Sequence, residues 1–313
     1  MTRTGLEIPE RVRLKALSEG RVGEAWLAGL VGTVLDLANK WGLSLGRTLA
    51  GGTDAFVAEV MTADRRPAVL KVDRPGRDPS AGELRTLLAA RGRGYAEVYA
   101  YDGARGAILL EHLGPQLAEL GLSVSNQLTI LCATLWKAWT MPPEGERFVT
   151  GAEKAEGLAR LIETIWPKTG RPCSERTIER ALAYTESRRR AFDERDAVLA
   201  HGDAHCWNAL LVPGGGPPHF KFVDPDGLFI ERAYDLGISM REWAEDLLAG
   251  DPVALGFRRC QRLANLTGIN PGPIWEWGFV ERVSTGLLCL QAGLGGAREM
   301  LTVADAWAEQ SPP

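Results

Sequence analysis

His201-Gly202-Asp203-Ala204-His205-Cys206-Trp207-Asn208 is followed, sixteen residues after its Asn, by Asp224-Pro225-Asp226-Gly227. Between the two stretches lie an apolar run, Ala209-Leu210-Leu211-Val212, a Gly/Pro turn from Pro213 to Pro218, and a second apolar run from Phe220 to Val223. Ala197-Val198-Leu199-Ala200 precedes them. Short apolar runs bounded by turn residues read as buried strands, so the polar residues fall in the connections. Asp203 and Asn208 stand five positions apart, and Asp224 opens the later turn.

Three readings of this segment compete. In the first, the two aspartates and the asparagine supply the carboxylate and amide oxygens that hold Mg·ATP over an acceptor hydroxyl. The kinase catalytic loop has the same interval, His-Arg-Asp, four residues, then Asn, with a later Asp as metal ligand. Gly202 stands at the Arg position and Pro225 at the Phe position of Asp-Phe-Gly, departures that point from protein kinases toward kinases of small molecules. The second reading is a zinc cluster of His201, His205 and Cys206. Zinc asks for four ligands in recurring spacings, and a chain with four histidines (112, 201, 205 and 219) offers no second half. The third is a plain polar loop after a buried strand. An isolated Asp-x4-Asn is common, but the whole order of loop, strand, turn, strand and Asp is not, and the kinase reading is preferred.

The chain as a whole suits that reading. With 313 residues, 45% of them hydrophobic, it can bury a large core and form two lobes. A net charge of −4 disfavours nucleic acid as a partner and suits a cationic small molecule. Five scattered cysteines (132, 173, 206, 260 and 289) read as reduced, mostly buried thiols of a cytosolic protein. The first residues carry no apolar signal segment, and no apolar run is long enough to cross a bilayer, so a cytoplasmic protein without membrane association is expected. Arg188-Arg189-Arg190, flanked by acids, reads as a solvated helix face.

Helical periodicity from Pro9 to Ala38 predicts two short helices or one broken one. Strands are expected at Leu43–Ala50, Ala55–Thr62, Ala68–Val72, Glu97–Tyr101 and Ala107–Leu110. Ser80 with Glu83 forms a capping box opening a helix. Glu111-His112-Leu113-Gly114-Pro115 breaks the pattern and is the candidate hinge. Helices are expected at 126–139, 151–165, 174–193, 234–248, 252–266, 275–294 and 298–309, with Ser174 and Pro252 as starts. The fold class is therefore α+β and bilobal. Residues 1–110 form a small antiparallel-sheet N-lobe, 111–115 the hinge, and 116–313 a larger, mainly helical C-lobe.

Lys71 ends an apolar strand, and Glu83 follows twelve residues later on the next helix. A lysine buried there needs a counter-charge, and the kinase solution is a helix Glu that aims it at the α- and β-phosphates. An edge-strand lysine reaching solvent is the bland alternative. Gly51-Gly52-Thr53 is either an ordinary turn or a hairpin whose backbone N–H groups approach the β- and γ-phosphates. Asp203 would orient the acceptor hydroxyl, Asn208 and Asp224 would ligate Mg²⁺, and Asp226 is an extra ligand or a neighbour of the metal site. Asp235 is either a helix N-cap or a partner of the catalytic-loop backbone, the cap being preferred on residue type. Asp226 and acids on the following helices, Glu242, Glu245 and Asp246, with Trp275, Trp277 and Glu281, are candidates to hold a cationic acceptor, against the alternative of solvated acids and core tryptophans.

Lys71, Glu83, the Glu111–Pro115 hinge, His-Gly-Asp with Asn208, and Asp224 follow in the order of the aminoglycoside phosphotransferase family, which the chain resembles over nearly its whole length. Leu109-Leu110-Glu111-His112-Leu113-Gly114-Pro115 and Asp224-Pro225 with Tyr234-Asp235-Leu236 resemble the streptomycin 6-kinase and hydroxyurea phosphotransferase branch. That branch often has Asp-Pro-Lys-Pro where this chain has Asp-Pro-Asp-Gly. The resemblance implies a protein-kinase-like fold and ATP with Mg²⁺. It also implies nucleotide contacts at Gly51, Gly52, Thr53, Lys71, Glu83, Glu111 and Leu113. The reaction it implies is transfer of the γ-phosphate to a hydroxyl of a streptomycin-like aminoglycoside, by a monomer or weak dimer. The alternatives are a kinase of another hydroxylated small molecule and a silent nucleotide-binding module.

Overall fold

The structure, a computed structural model, describes residues 6–49, 55–74, 79–214 and 216–313, the side chains of 79–81 excepted. The chain divides into two compact units, with the division after Gly114.

Unit 1 opens with α1 (Glu10–Leu17) and α2 (Arg21–Trp41), then β1 (Ser44–Thr48), β2 (Ala55–Met61), β3 (Pro67–Asp73), α3 (Pro79–Ala90), β4 (Val98–Asp102) and β5 (Ala107–Glu111). The strands form one antiparallel sheet in the order β1-β2-β3-β5-β4. Leu30, Val34 and Leu37 recur at helical spacing along α2 and bury against Phe56, Ala58 and Val60 of β2 and Ala68, Leu70 and Val72 of β3. Every second residue of β2 and β3 is thereby committed to the α2 face. Strand alternation turns Lys71, between Leu70 and Val72, to the opposite face. Gly42 ends α2 in the left-handed region at φ 64°, its N–H on the last carbonyls, a conformation glycine adopts at little cost.

Unit 2 contains α4 (Val124–Ala138), β6 (Val149–Thr150), α5 (Gly151–Lys168), α6 (Glu175–Ala191), β7 (Ala197–Ala200), β8 (Ala209–Leu211), β9 (Phe220–Phe222) and β10 (Leu228–Glu231). These are followed by α7 (Ala233–Arg241), α8 (Ala244–Leu248), α9 (Pro252–Thr267), α10 (Pro271–Gln291) and α11 (Ala297–Trp307). Ser174 caps α6 through the Thr177 N–H, and Pro252 is the first residue of α9 behind an Asp251 cap, as the sequence predicts. α10 is apolar on nearly every side and buries Trp275, Trp277, Phe279, Val280, Val283 and Leu287. It packs against α5, α6, α7, α9 and α11 and is the core of the unit. All nine residues of α7 are buried. α7 and α10 meet at glycines: a Cβ at Gly237 would lie 2.7 Å from Trp277 Cβ, and one at Gly278 would lie 2.3 Å from Met240 Cβ. Among the described residues no helix is long and apolar enough to cross a membrane.

Three expectations change. The segment 234–248 is two helices, because Glu242 is extended and Trp243 left-handed at φ 51°. The carbonyls freed by the break accept from buried arginines: Met240 O from Arg282 Nη2 at 2.5 Å and Glu242 O from Arg259 Nη1 at 2.6 Å. Partners from α9 and α10 thus satisfy groups that a continuing helix would have used. Ser80 lies inside α3, not ahead of it, and the Glu83 carboxylate goes to Lys71 instead of a capping box. Arg188 is not solvated. Its side chain is 12% exposed and is paired with Glu231 at 3.2 Å and Glu276 at 2.6 Å, while Arg189 and Arg190 pair with Glu186 on the surface.

Gly278→Ala is expected to cost about 1–3 kcal/mol by overpacking the α7–α10 contact, read as a lower Tm in a thermal melt; an unchanged Tm would show that the contact yields freely.

Candidate active site

β7 and β10 pair antiparallel with Ala200 opposite Leu228, and β8 and β9 pair with Ala209 opposite Phe222. The loop His201–Asn208 and the loop Val223–Gly227 therefore start and finish on paired strands and must run side by side. Main-chain bonds join them: Val223 N–H to Asn208 O at 3.0 Å, Asp226 N–H to His201 O at 2.8 Å, and Gly227 N–H to His201 O at 3.2 Å. His201 is wholly buried, with Phe222 edge-on at 4.9 Å. Its Nδ1 accepts from Asp203 N–H at 3.1 Å and its Nε2 donates to Val223 O at 3.0 Å, which defines the tautomer.

Asp235 anchors the first loop. Oδ1 accepts from Gly202 N–H at 2.8 Å; Oδ2 accepts from His201 N–H at 3.0 Å and Trp139 Nε1–H at 2.9 Å. Burial pushes this carboxyl above its ordinary value against the pull of those bonds. Of the two sequence readings of Asp235, the helix cap is excluded: α7 begins two residues earlier, with Arg232 at its cap. Gly202 has φ 91°, and a Cβ there would meet Asp226 Cβ at 2.7 Å and Leu228 at 3.2 Å. The loop thus has no room for the Arg of the protein-kinase pattern.

The Asp203 side chain is 35% exposed and held at both oxygens: Arg241 Nη2 bonds Oδ1 at 2.9 Å and His205 Nε2 lies 3.1 Å from Oδ2. Burial by itself would raise its pKa, but the His205 and Arg241 contacts prevail and hold it well below the usual carboxylate range. His205 is the mirror case, lowered by burial and raised on balance by Asp203. Asn208 donates its amide N–H to Asp203 O at 3.1 Å, which leaves the side-chain oxygen as its ligand atom. Asp224 is exposed, with φ 55°, and Asp226 is exposed beside it. A side-chain carbonyl and a carboxylate are hard oxygen donors of the kind Mg²⁺ takes, so the chemistry of the pair fits that ion. The zinc alternative is not met: both ring nitrogens of His201 are engaged as described, His205 Nε2 is turned to Asp203, and Cys206 is buried, its thiol pushed up to about 11. Among the described residues no three His, Cys, Asp or Glu side chains converge on a metal position.

In unit 1, Lys71 Nζ bonds Glu83 Oε1 at 2.8 Å and Oε2 at 2.7 Å, with both side chains buried. The solvated-lysine alternative is thereby excluded. Glu111 ends β5, its Oε2 accepting from Glu97 N–H at 3.0 Å, and the Leu113 side chain is buried. Gly51, Gly52 and Thr53 lie outside the described residues.

The candidate acceptor acids do not act alike. Glu242 is bound by Arg241 at 2.9 Å and the half-exposed Asp246 by Arg259 at 2.9 Å, and Glu245 is exposed. Trp275 and Trp277 are wholly buried, and Glu281 is buried against Tyr234 and Arg241, so none of these three faces a solvent-borne cation. Arg241 and His205, the partners of Asp203, were not legible as such. The available signal was an arginine closing the largely apolar run Leu236–Met240, a position that demands a buried counter-charge.

An aminoglycoside phosphotransferase of Streptomyces rimosus, solved with ADP and streptomycin, is similar in structure over 82% of this chain and 98% of its own, with a TM-score of 0.54 and 17% identity. That likeness and the arrangement of sheet and helices define a kinase-like phosphotransferase fold. Residues 40–291 match the family of aminoglycoside/hydroxyurea antibiotic resistance kinases. A hydroxyurea phosphotransferase of Kitasatospora aureofaciens is 30% identical over 78% of this chain and 73% of its own. A streptomycin 6-kinase of Streptomyces glaucescens is 24% identical over 92% of each chain. The chain belongs to this kinase family and is a nucleotide-using phosphotransferase.

Two outcomes follow from the site. Asp235→Asn turns an NH₂ toward main-chain N–H groups and is expected to cost about 2–4 kcal/mol, measured by denaturant unfolding; a cost near zero would remove Asp235 as the anchor. The second concerns pH. Because the folded pKa of His205 is raised above 6.5, its contribution to stability is full below pH 6.5 and is lost as pH rises through the folded value. In Asp203→Asn the raising contacts of Asp203 are lost, burial and Arg241 lower the pKa against Glu242 alone, and the slope above pH 6.5 should flatten. Thermal melts across that range check this, and equal slopes for the two proteins would contradict the pairing.

Proposed function

We propose that this protein transfers the γ-phosphate of Mg·ATP to a hydroxyl of a small molecule, with a streptomycin-type aminoglycoside as acceptor and loss of the antibiotic's action as the consequence. The observation that carries the reading is Asp203: ionised, fixed at both oxygens and still a third exposed, on a loop that also presents Asn208 and runs beside Asp224. A carboxylate with so low a pKa is a weak base. Asp203 acts mainly by orienting the hydroxyl and takes its proton late, as a loose phosphoryl-transfer transition state allows. Asn208 Oδ1 and the Asp224 carboxylate would hold Mg²⁺, which supplies neutralisation of phosphate charge. Lys71, held by Glu83, serves the α- and β-phosphates, and Gly51–Thr53, Glu111 and Leu113 serve the nucleotide. Residues 111–115 act as the hinge.

A second acceptor class has an observation in its favour. Arg241 and Arg259 already pair with Glu242 and Asp246, so Asp226 and Glu245 are the candidate acids left to meet a cation. That balance favours a small uncharged acceptor such as hydroxyurea, on which the Kitasatospora relative is named to act.

ADP release with Mg·ATP against streptomycin, other aminoglycosides, hydroxyurea and simple alcohols tests both. Stimulation by streptomycin supports the first reading, and stimulation by hydroxyurea alone the second. Nucleotide binding without turnover on any acceptor would leave a silent binding module. Asp203→Ala is expected to lower kcat by about 10³-fold or more with nucleotide affinity largely kept; a near-normal rate would end the catalytic assignment.

A further inference from the structure

Glu281 sits mid-way along α10 among Trp277, Phe279, Val280 and Val283, and is 4% exposed. A carboxylate in such surroundings is costly unless paired. Its Oε1 accepts the Tyr234 hydroxyl, and its Oε2 lies 3.5 Å from Arg241 Nη1. Tyr234 is wholly buried, packed edge-on to Trp277 at 4.9 Å; burial and the charge of Glu281 push its phenol well above the ordinary value, so it stays a donor. Arg241 in turn places Nη2 on Asp203 Oδ1 and Nε on Glu242 Oε1, both at 2.9 Å. A guanidinium is a rigid planar fork, so contacts on different edges determine its plane and its rotation. Asp203 and Glu242 are partly exposed, whereas Glu281 pairs with the Nη1 edge of the fork from inside the helical core.

We propose that Glu281 is a positioning residue for phosphoryl transfer: braced by Tyr234, it holds the Arg241 guanidinium in the plane that presents Nη2 to Asp203, and so fixes the carboxylate that orients the acceptor hydroxyl. This rests on Asp203 having the role proposed above. Glu281 does not touch the reacting groups, and its influence runs through Arg241. Loss of its charge frees one edge of the fork, lets the guanidinium turn, and loosens the orientation of Asp203. Such misplacement slows the chemical step and leaves nucleotide affinity alone.

The test is a double-mutant cycle on the full chain, with ADP release measured using streptomycin, hydroxyurea and water alone as acceptors. Glu281→Gln keeps size and the acceptor for Tyr234. It is expected to lower kcat by about tenfold or more with KM for ATP within about twofold of wild type. Arg241→Gln should lower kcat further, and adding Glu281→Gln to it should change nothing more, because the path is already cut. Wild-type kcat in Glu281→Gln, or losses that multiply in the double variant, would overturn the proposal. Asp203→Asn separates the two levels. If it keeps the wild-type rate, the catalytic reading fails; if it is inactive while Glu281→Gln is normal, only the positioning role fails. Should Glu281→Gln not fold, Tyr234→Phe leaves every charge in place. It should lower kcat about threefold in the wild-type background and not at all beside Arg241→Gln; the same loss in both backgrounds would also overturn the proposal.

Discussion

The carboxylate of Asp235 is the contact on which the catalytic loop depends. Two successive main-chain N–H groups, of His201 and Gly202, and the indole N–H of Trp139 all end on it. A loop leaving a buried strand has donors that the strand ladder no longer serves, and unmet donors inside a protein are costly. Asp235 meets them from α7, a helix buried on all sides against α10. The rigidity of the helical core is thereby passed to the two residues that precede Asp203. With Gly202 at φ 91° and no space for a Cβ, only glycine suits the turn into Asp203.

The charges around Asp203 form a second constraint. Arg241 is buried and touches three carboxylates, and its pKa is driven above the ordinary value by Glu242, Asp203 and Glu281 against the opposing effect of burial. Each partner would be expensive to bury alone, and together they keep Asp203 ionised and oriented. The break between α7 and α8 belongs to the same arrangement. By leaving the helix at Glu242, the chain brings that side chain to Arg241 and gives its carbonyl to Arg259.

Much of this was legible along the chain because local rules govern it. Alternation in β2 and β3 and the 30/34/37 stripe of α2 dictate which face of the sheet is covered, and so which face Lys71 takes, toward Glu83. The Asp203–Asn208 interval and the strand–turn–strand before Asp224 are likewise local. Residues whose partners lie far away in sequence were not legible. Arg188 looked solvated in a basic run flanked by acids, yet its partners Glu231 and Glu276 come from β10 and α10. Glu242 and Asp246 looked available for a cation until Arg241 and Arg259 were seen to occupy them.

By itself, then, the sequence determined the element types, the order of the motif and the identity of the phosphate-handling candidates, since these follow from backbone periodicity and from the chemistry of single side chains. The tertiary structure decided how Asp203 is held, where the 234–248 helix breaks, and which acids remain exposed near the site. Those outcomes depend on which charges burial brings together, and a buried charge must find its partner wherever in the chain that partner happens to be.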